Sequence, residues 1–343
     1  MIPSDYHDML PSSRRQFIKT GAVVSAAGIT GLAGCTGSSE GTIRFNFVVP
    51  IENLGSLLDI PGIQDELENV GDSYEFEITQ NSSTPDTVNA LAANEADIGL
   101  LTMQSFPNAV TSDAVPDGIT TIAIDMWDAH PDYFSVPVCS LPDSDITEPE
   151  DLEGRSVAVN AVGSGVHSVY LKMFDQIGID HEEDVEFIEQ GFPTFIPGLE
   201  DGIFDAAIFP GLFAVSARNE GLTEVFNTRD AFPEELQPYP YTFTTATNRA
   251  IDNKEDEIQA WMEDFQGVIE YMENNRDEVV SLAAEHFDLP EEQVDSFLLT
   301  ENDYYRDFEI DLESLQGITD EMYDLGLTDE QVDMESHSTN QFF

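Results

Sequence analysis

Basic side chains are what this chain has least of: 12 Lys and Arg stand against 68 Asp and Glu, a formal charge of −56 over 343 residues. Phosphate contacts need clustered Lys and Arg, so nucleic-acid binding is excluded. Cysteine is limited to two residues, which rules out a disulfide framework if either has another use. No His-x-x-x-His spacing, cysteine pair or Gly-x-Ser-x-Gly elbow occurs, and the six histidines are scattered. Acidic runs such as Glu182-Glu183-Asp184 lack the glycine spacing of a calcium loop and read as solvated surface. No metal site, cofactor or catalytic residue is therefore expected.

What is present begins with targeting. Ser12-Ser13-Arg14-Arg15-Gln16-Phe17-Ile18-Lys19 is similar to a twin-arginine export signal, and the mild Ala- and Gly-rich run from Gly21 to Gly31 is too short to span a bilayer. Leu32-Ala33-Gly34-Cys35 resembles a lipobox, which implies lipidation of Cys35 as the first mature residue. The alternative is an ordinary N-terminal anchor. Residues 1–34 are thus expected to be a signal peptide and 35–41 a lipidated linker, with the protein held on the extracellular face of the cell membrane. With Cys35 so used, Cys139 sits alone in the apolar run Ser135 to Leu141 and reads as a small core residue. A hydrophobic content of 41% predicts a packed protein despite the charge. The acidity resembles that of proteins from extreme halophiles. Molar salt shortens the screening length to about 3 Å and removes most of the self-repulsion.

Short apolar runs alternate with helical segments, predicting an α/β protein. Thr42 to Pro50, Ser73 to Thr79, Asp97 to Leu101 and Ile119 to Trp127 read as strands, with helices near Pro61 to Asn69 and Pro85 to Asn94. Pro131 to Leu141 leads out of this first series. A second series follows: strands Ser156 to Asn160, Val185 to Glu189 and Ala206 to Phe209, helices Val166 to Ile177 and Phe195 to Asp201, and an extended return at Tyr241 to Asn248. An internal echo links the two series, because Asp97 and Asp205 each head a small-apolar strand after an equivalent helix. From Lys254 the chain is helical. Ile258, Trp261, Met262, Phe265, Val268, Ile269 and Met272 form one apolar stripe at three-or-four spacing.

Ala96-Asp97-Ile98-Gly99, Asp151 to Val159, Gly163-Ser164-Gly165-Val166-His167 and Gly202 to Ile208, with the helical tail from Ile269 to Val279, together resemble the type II periplasmic-binding fold. The chain is most similar to the nitrate/sulfonate/taurine and thiamine-precursor group of ABC-transporter substrate-binding proteins. The resemblance implies two α/β lobes about a central cleft, with C-terminal helices packed on the first lobe. Residues 42–134 and 246–335 would form lobe 1 and residues 135–245 lobe 2. It further implies a monomer that captures a small-molecule solute and delivers it to an ABC permease with its ATPase subunit.

In such a fold the ligand sits at the C-terminal ends of strands, where loops and helix N-termini converge. Those positions are Asn53, Ser82, Ser83, Thr84, Thr102 and Gln104 in the first lobe. In the second they are Gly163, Ser164, Gly165, Val166, His167, Phe192, Thr194 and Pro210. Gly163-Ser164-Gly165 is the sharpest candidate, since its glycines admit a ligand to backbone N–H groups, although Ser164 also suits a plain helix cap. Trp127 either stacks on a ring or plugs the hinge. His167 fits a structural hydrogen bond better than a ligand contact. The loops carry neither Lys nor Arg, which weighs against a strongly anionic solute and leaves neutral or cationic heterocycles equally open. Two alternatives remain: a hydrolase or desulfinase on the same fold, using Cys139 or Ser164 with His167, and a ligand-sensing lipoprotein.

Overall fold

The short apolar and β-branched runs do form strands, and these assemble into two five-stranded sheets. In a computed structural model that describes residues 41–343, β1 (Thr42–Phe47), β2 (Glu75–Gln80), β3 (Ile98–Thr102) and β4 (Ile119–Asp128) come first. Then follow β5 (Pro137–Ser140), β6 (Arg155–Val159), β7 (Val185–Glu189), β8 (Ala206–Ile208), β9 (Thr223–Asn227) and β10 (Tyr239–Thr247). The twin-arginine motif, the signal core and Cys35 lie outside the described residues. No helix among the described residues is long and apolar enough to cross a membrane.

The first sheet runs β2-β1-β3-β10-β4, with β1 parallel to β2 and β3, and β10 antiparallel to β3 and β4. The second runs β7-β6-β8-β5-β9, with β6 parallel to β7 and β8, and β5 antiparallel to β8 and β9. Each lobe therefore places one antiparallel strand at the same fourth position. Every residue of β3 and β10 is buried, as expected of inner strands covered on both faces.

The echoed aspartates have one structural job in both lobes. Asp97 N–H donates to the Arg44 carbonyl and its Oδ2 accepts from Arg44 N–H at 3.1 Å. Asp205 N–H donates to the Ser156 carbonyl and its Oδ2 accepts from Ser156 N–H at 2.9 Å. Each carboxylate ties the head of a central strand to its parallel neighbour, β1 for Asp97 and β6 for Asp205. Asp97 also gathers Arg44 Nη2 at 2.7 Å and Lys254 Nζ at 2.8 Å into a buried ion cluster.

The extended return expected at Tyr241 to Asn248 is strand β10. It lies in the first sheet from Tyr239 onward, so the stretches that cross between the sheets are 129–136 and 228–238. Pairing with both β3 and β4 keeps Tyr241 and its neighbours inside the first sheet. The helix Gly211–Asn219 and strand β9 were not anticipated, because Gly211 to Gly221 shows no strong periodicity. In the tail, the apolar stripe packs the helix Glu255–His286 on the first lobe, with Trp261 and Phe45 ring centroids 5.4 Å apart. Non-helical geometry at Asn275 separates its two halves. The later helices also touch the second lobe. Gln293 Nε2 donates to Leu212 O at 2.9 Å, and Lys172 pairs with Glu321 at 2.5 Å.

Candidate ligand-binding cleft

The C-terminal ends of β1 and β3 face those of β6 and β8 across a narrow crevice. Its cavity volume is about 40 Å³. Its walls are Val48, Val49, Glu52, Asn53, Thr84, Leu100, Thr102, Tyr241 and Thr242 from one lobe. Asn160, Ser164, Gly165, Val166, Phe192 and Pro210 face them from the other. The lobes touch closely here. A Cβ on Gly165 would lie 2.9 Å from Thr102 Cβ, and one on Gly211 would lie 2.1 Å from Glu52 Oε2. Asn160 Nδ2 donates to Ser82 O at 3.2 Å across the rim. Entry of a solute larger than water requires these contacts to open.

Of the residues expected at the site, Asn53, Thr84, Thr102, Ser164, Gly165, Val166, Phe192 and Pro210 all line this crevice. Ser82 lies on its rim as the acceptor from Asn160, and Ser83 caps the helix Thr84–Ala92, accepting from Asp86 N–H at 3.3 Å. Gln104, Trp127, Gly163, His167 and Thr194 are not in its walls. Trp127 instead donates its indole N–H to Asp307 O at 2.7 Å and stands edge-on to Tyr305. His167 accepts from Gly163 N–H at 3.4 Å and packs edge-on to Phe187. Burial pushes the imidazole down to about 4, helped by His181, so it stays neutral at pH 7. Thr194 donates outward to Gly191 O, away from the lobes' contact.

Glu52 lies in the segment 51–54 expected at the cleft, but nothing in the sequence singled it out within that segment. It follows Ile51, whose φ of +68° is a costly left-handed conformation for a β-branched side chain. Asn53 anchors the turn, its Oδ1 accepting from Val48 and Val49 N–H. Glu52 is 3% exposed, and its Oε2 has no hydrogen-bond partner within the protein. Burial pushes this carboxyl up to about 8, partly offset by Arg306 and reinforced by Asp125, Asp303 and Asp128.

Behind Glu52 lies a buried polar chain. Asn53 Nδ2 donates to Asp125 Oδ2 at 3.2 Å, and Arg306 Nη1 stands 3.9 Å from that oxygen. Arg306 Nη2 binds Asp303 Oδ1 at 2.8 Å. This arginine is spoken for, and no Lys, Arg or His lines the crevice. Asp128, further back, accepts from Thr228 Oγ1 at 2.8 Å and is raised to about 7 by burial.

A family description covers residues 74–279, well over half of the chain: NMT1/THI5 like. The chain belongs to the NMT1/THI5-like family. No curated protein sequence matches it. Among solved structures it is similar to the periplasmic aliphatic sulphonate binding protein SsuA from Escherichia coli, with a TM-score of 0.67 and 18% identity over 87% of this chain and 92% of that one. The periplasmic nitrate-binding protein NrtA from Synechocystis PCC 6803 gives a TM-score of 0.70 at 12% identity, covering 89% and 87%. The ligand-binding component of an ABC-type import system from Staphylococcus aureus gives 0.69 at 12% identity, covering 88% and 98%. At these identities the likeness is one of fold, and it is the periplasmic-binding fold.

Proposed function

We propose that this family member is an extracytoplasmic solute-binding lipoprotein that captures a small molecule between its lobes and delivers it to an ABC permease with a separate ATPase. One observation carries the reading: two lobes of matching strand order contribute opposite walls to a single buried crevice, built for closure on a solute. The fold neighbours, named for sulphonate binding, nitrate binding and ABC import, support it. Capture involves no chemistry on the solute. Crossing segments 129–136 and 228–238 act as the hinge, and closure strips water from the polar loop groups that orient the ligand.

The residues considered for an enzyme are engaged elsewhere. Ser164 Oγ donates to Ala161 O at 2.7 Å, and His167 Nδ1 accepts from Gly163 N–H rather than from Ser164. Cys139 lies in β5 with its thiol pushed up to about 12 by burial, aided by Glu224, which suppresses the reactive thiolate.

Two measurements test the proposal. Thermal-shift screening of the protein in molar salt against small nutrients should find one class that raises the melting temperature with dose and is recovered unchanged; recovery as product would replace capture with catalysis. For the anchor, Cys35→Ser should release the mature protein from membranes, and a mutant that stayed acylated would end the lipobox assignment.

A further inference from the structure

Polar groups in the crevice walls are unequal in what they offer. Three oxygens there have no partner within the protein: Glu52 Oε2, Thr84 Oγ1 and Asn160 Oδ1. Three side-chain donors in the walls are already engaged. Asn53 Nδ2 is bound to Asp125, Asn160 Nδ2 to Ser82 O, and Ser164 Oγ to Ala161 O. A buried acceptor without a partner carries a desolvation cost, which a bound donor removes. The Glu52 carboxylate and the Asn160 amide oxygen can only accept and so ask for hydrogens from the solute, while the Thr84 hydroxyl can accept or donate.

Charge points the same way. Glu52 (after β1), Asp125 and Asp128 (β4), and Asp303 crowd one buried region, where Arg306 is the only cation among the groups that act on Glu52. The phenols of Tyr241 and Tyr304 also feel the Glu52 charge, and both are held neutral by burial. Arg229 acts on Asp128 as well, and four carboxyl groups against two guanidiniums leave negative charge uncompensated unless a proton or another cation is taken up. Two aromatic faces, Tyr241 and Phe192, line the same space and suit an organic cation.

An anion has one claim on the site, since three helices begin at the cleft, of which Thr84–Ala92 is already capped by Ser83. At the helix Gly211–Asn219, Gly211 N–H already donates to Tyr304 Oη, and Glu52 Oε2 lies 2.1 Å from where a Gly211 Cβ would be, so a carboxyl group already stands beside that helix start. The helix Gly165–Ile177 has no side-chain cap, and while His167 N–H donates to Ser164 O, the Gly165 and Val166 N–H groups can take a lone pair of the solute.

We propose that the captured solute carries a protonated, N–H-bearing nitrogen that docks on the Glu52 carboxylate, with Thr84 and Asn160 accepting its remaining hydrogens. This deepens the capture reading and rests on it. The binding cation displaces the proton that the buried carboxyl otherwise holds, and that proton leaves to solvent. Proton and solute compete for one oxygen pair.

The test is calorimetric titration of the full chain in molar potassium chloride at pH 8, with ethanolamine, benzamidine and 4-aminopyridine as cationic probes and methanesulfonate and nitrate as anionic ones. At least one cation should bind, and Glu52→Gln, which keeps the side-chain shape, should weaken it at least tenfold. With wild type alone, affinity for that cation should fall toward tenfold per unit as pH drops from 7 to 6, since a carboxyl titrating near 8 is then mostly protonated. Binding of the anions without the cations would overturn this proposal and leave solute capture standing. Cation binding that ignores both pH and Glu52→Gln would overturn it as well. Silence from both classes and from the wider nutrient screen would overturn capture itself.

Discussion

Asp97 shows what one side chain decides in a chain with so few cations. Burial alone would raise its carboxyl, but hydrogen bonds and charge from Arg44 and Lys254 outweigh this and hold it below the usual carboxylate range. Removing one member of such a cluster leaves buried charge behind, so Asp97→Asn should cost about 3–5 kcal/mol in denaturant unfolding. The sign with pH follows from the lowered value. The stabilisation is complete above the unfolded value of about 4 and is lost as pH falls through the lower folded one. The variant's stability should therefore fall less steeply in acid than that of wild type; parallel acid limbs would refute this role. Asp97 was legible in the sequence as a repeated strand-heading residue. Its partners were not, because Lys254 lies far along the chain and meets it only through packing. Glu52 is the reverse case: one acidic residue among 68 in sequence, singled out only when burial leaves its Oε2 without a partner.

Among the elements, the loop from Gly163 into the helix Gly165–Ile177 does most to shape the cleft. Its glycines were readable as a place of close approach, and Gly165 does meet the Thr102 side chain of the opposite lobe. A methyl group there cannot be absorbed by the end of a flexible chain, since its nearest neighbour is Thr102 Cβ itself at 2.9 Å. Gly165→Ala should hold the lobes apart, weakening solute binding at least tenfold while the ligand-free melting temperature stays within a few degrees. Unchanged affinity would mean that this contact is not part of the bound state. Helix and strand placement was largely legible from periodicity, and the boundaries of Val185–Glu189 are those expected. The helix Gly211–Asn219 was hidden because its apolar residues carry no clear period, and its first residue matters mainly through what it touches in the other lobe.

For the whole molecule, charge sets the conditions of folding. Side-chain repulsion from −56 acts over about 10 Å in 0.1 M salt and about 3 Å in 1 M. Circular dichroism of the mature protein should therefore show loss of structure on dilution from molar salt to 0.1 M, and an unchanged spectrum in dilute buffer would refute the halophilic reading. The tail adds a second global feature, because its helices touch both lobes through Gln293 and Glu321, so lobe motion must be accommodated at those contacts. The sequence by itself determined the α/β class, the two similar series, the glycine-rich cleft loop and the lack of basic groups in the lining, since these depend on local periodicity and on residue type. Only the tertiary structure decided that β10 belongs wholly to the first sheet and that Trp127 and His167 turn away from the crevice. It also decided that Glu52 stands buried beneath the crevice against Gly211. Such placements depend on which distant segments exclude water from which atoms, and the packing of the two lobes settles that.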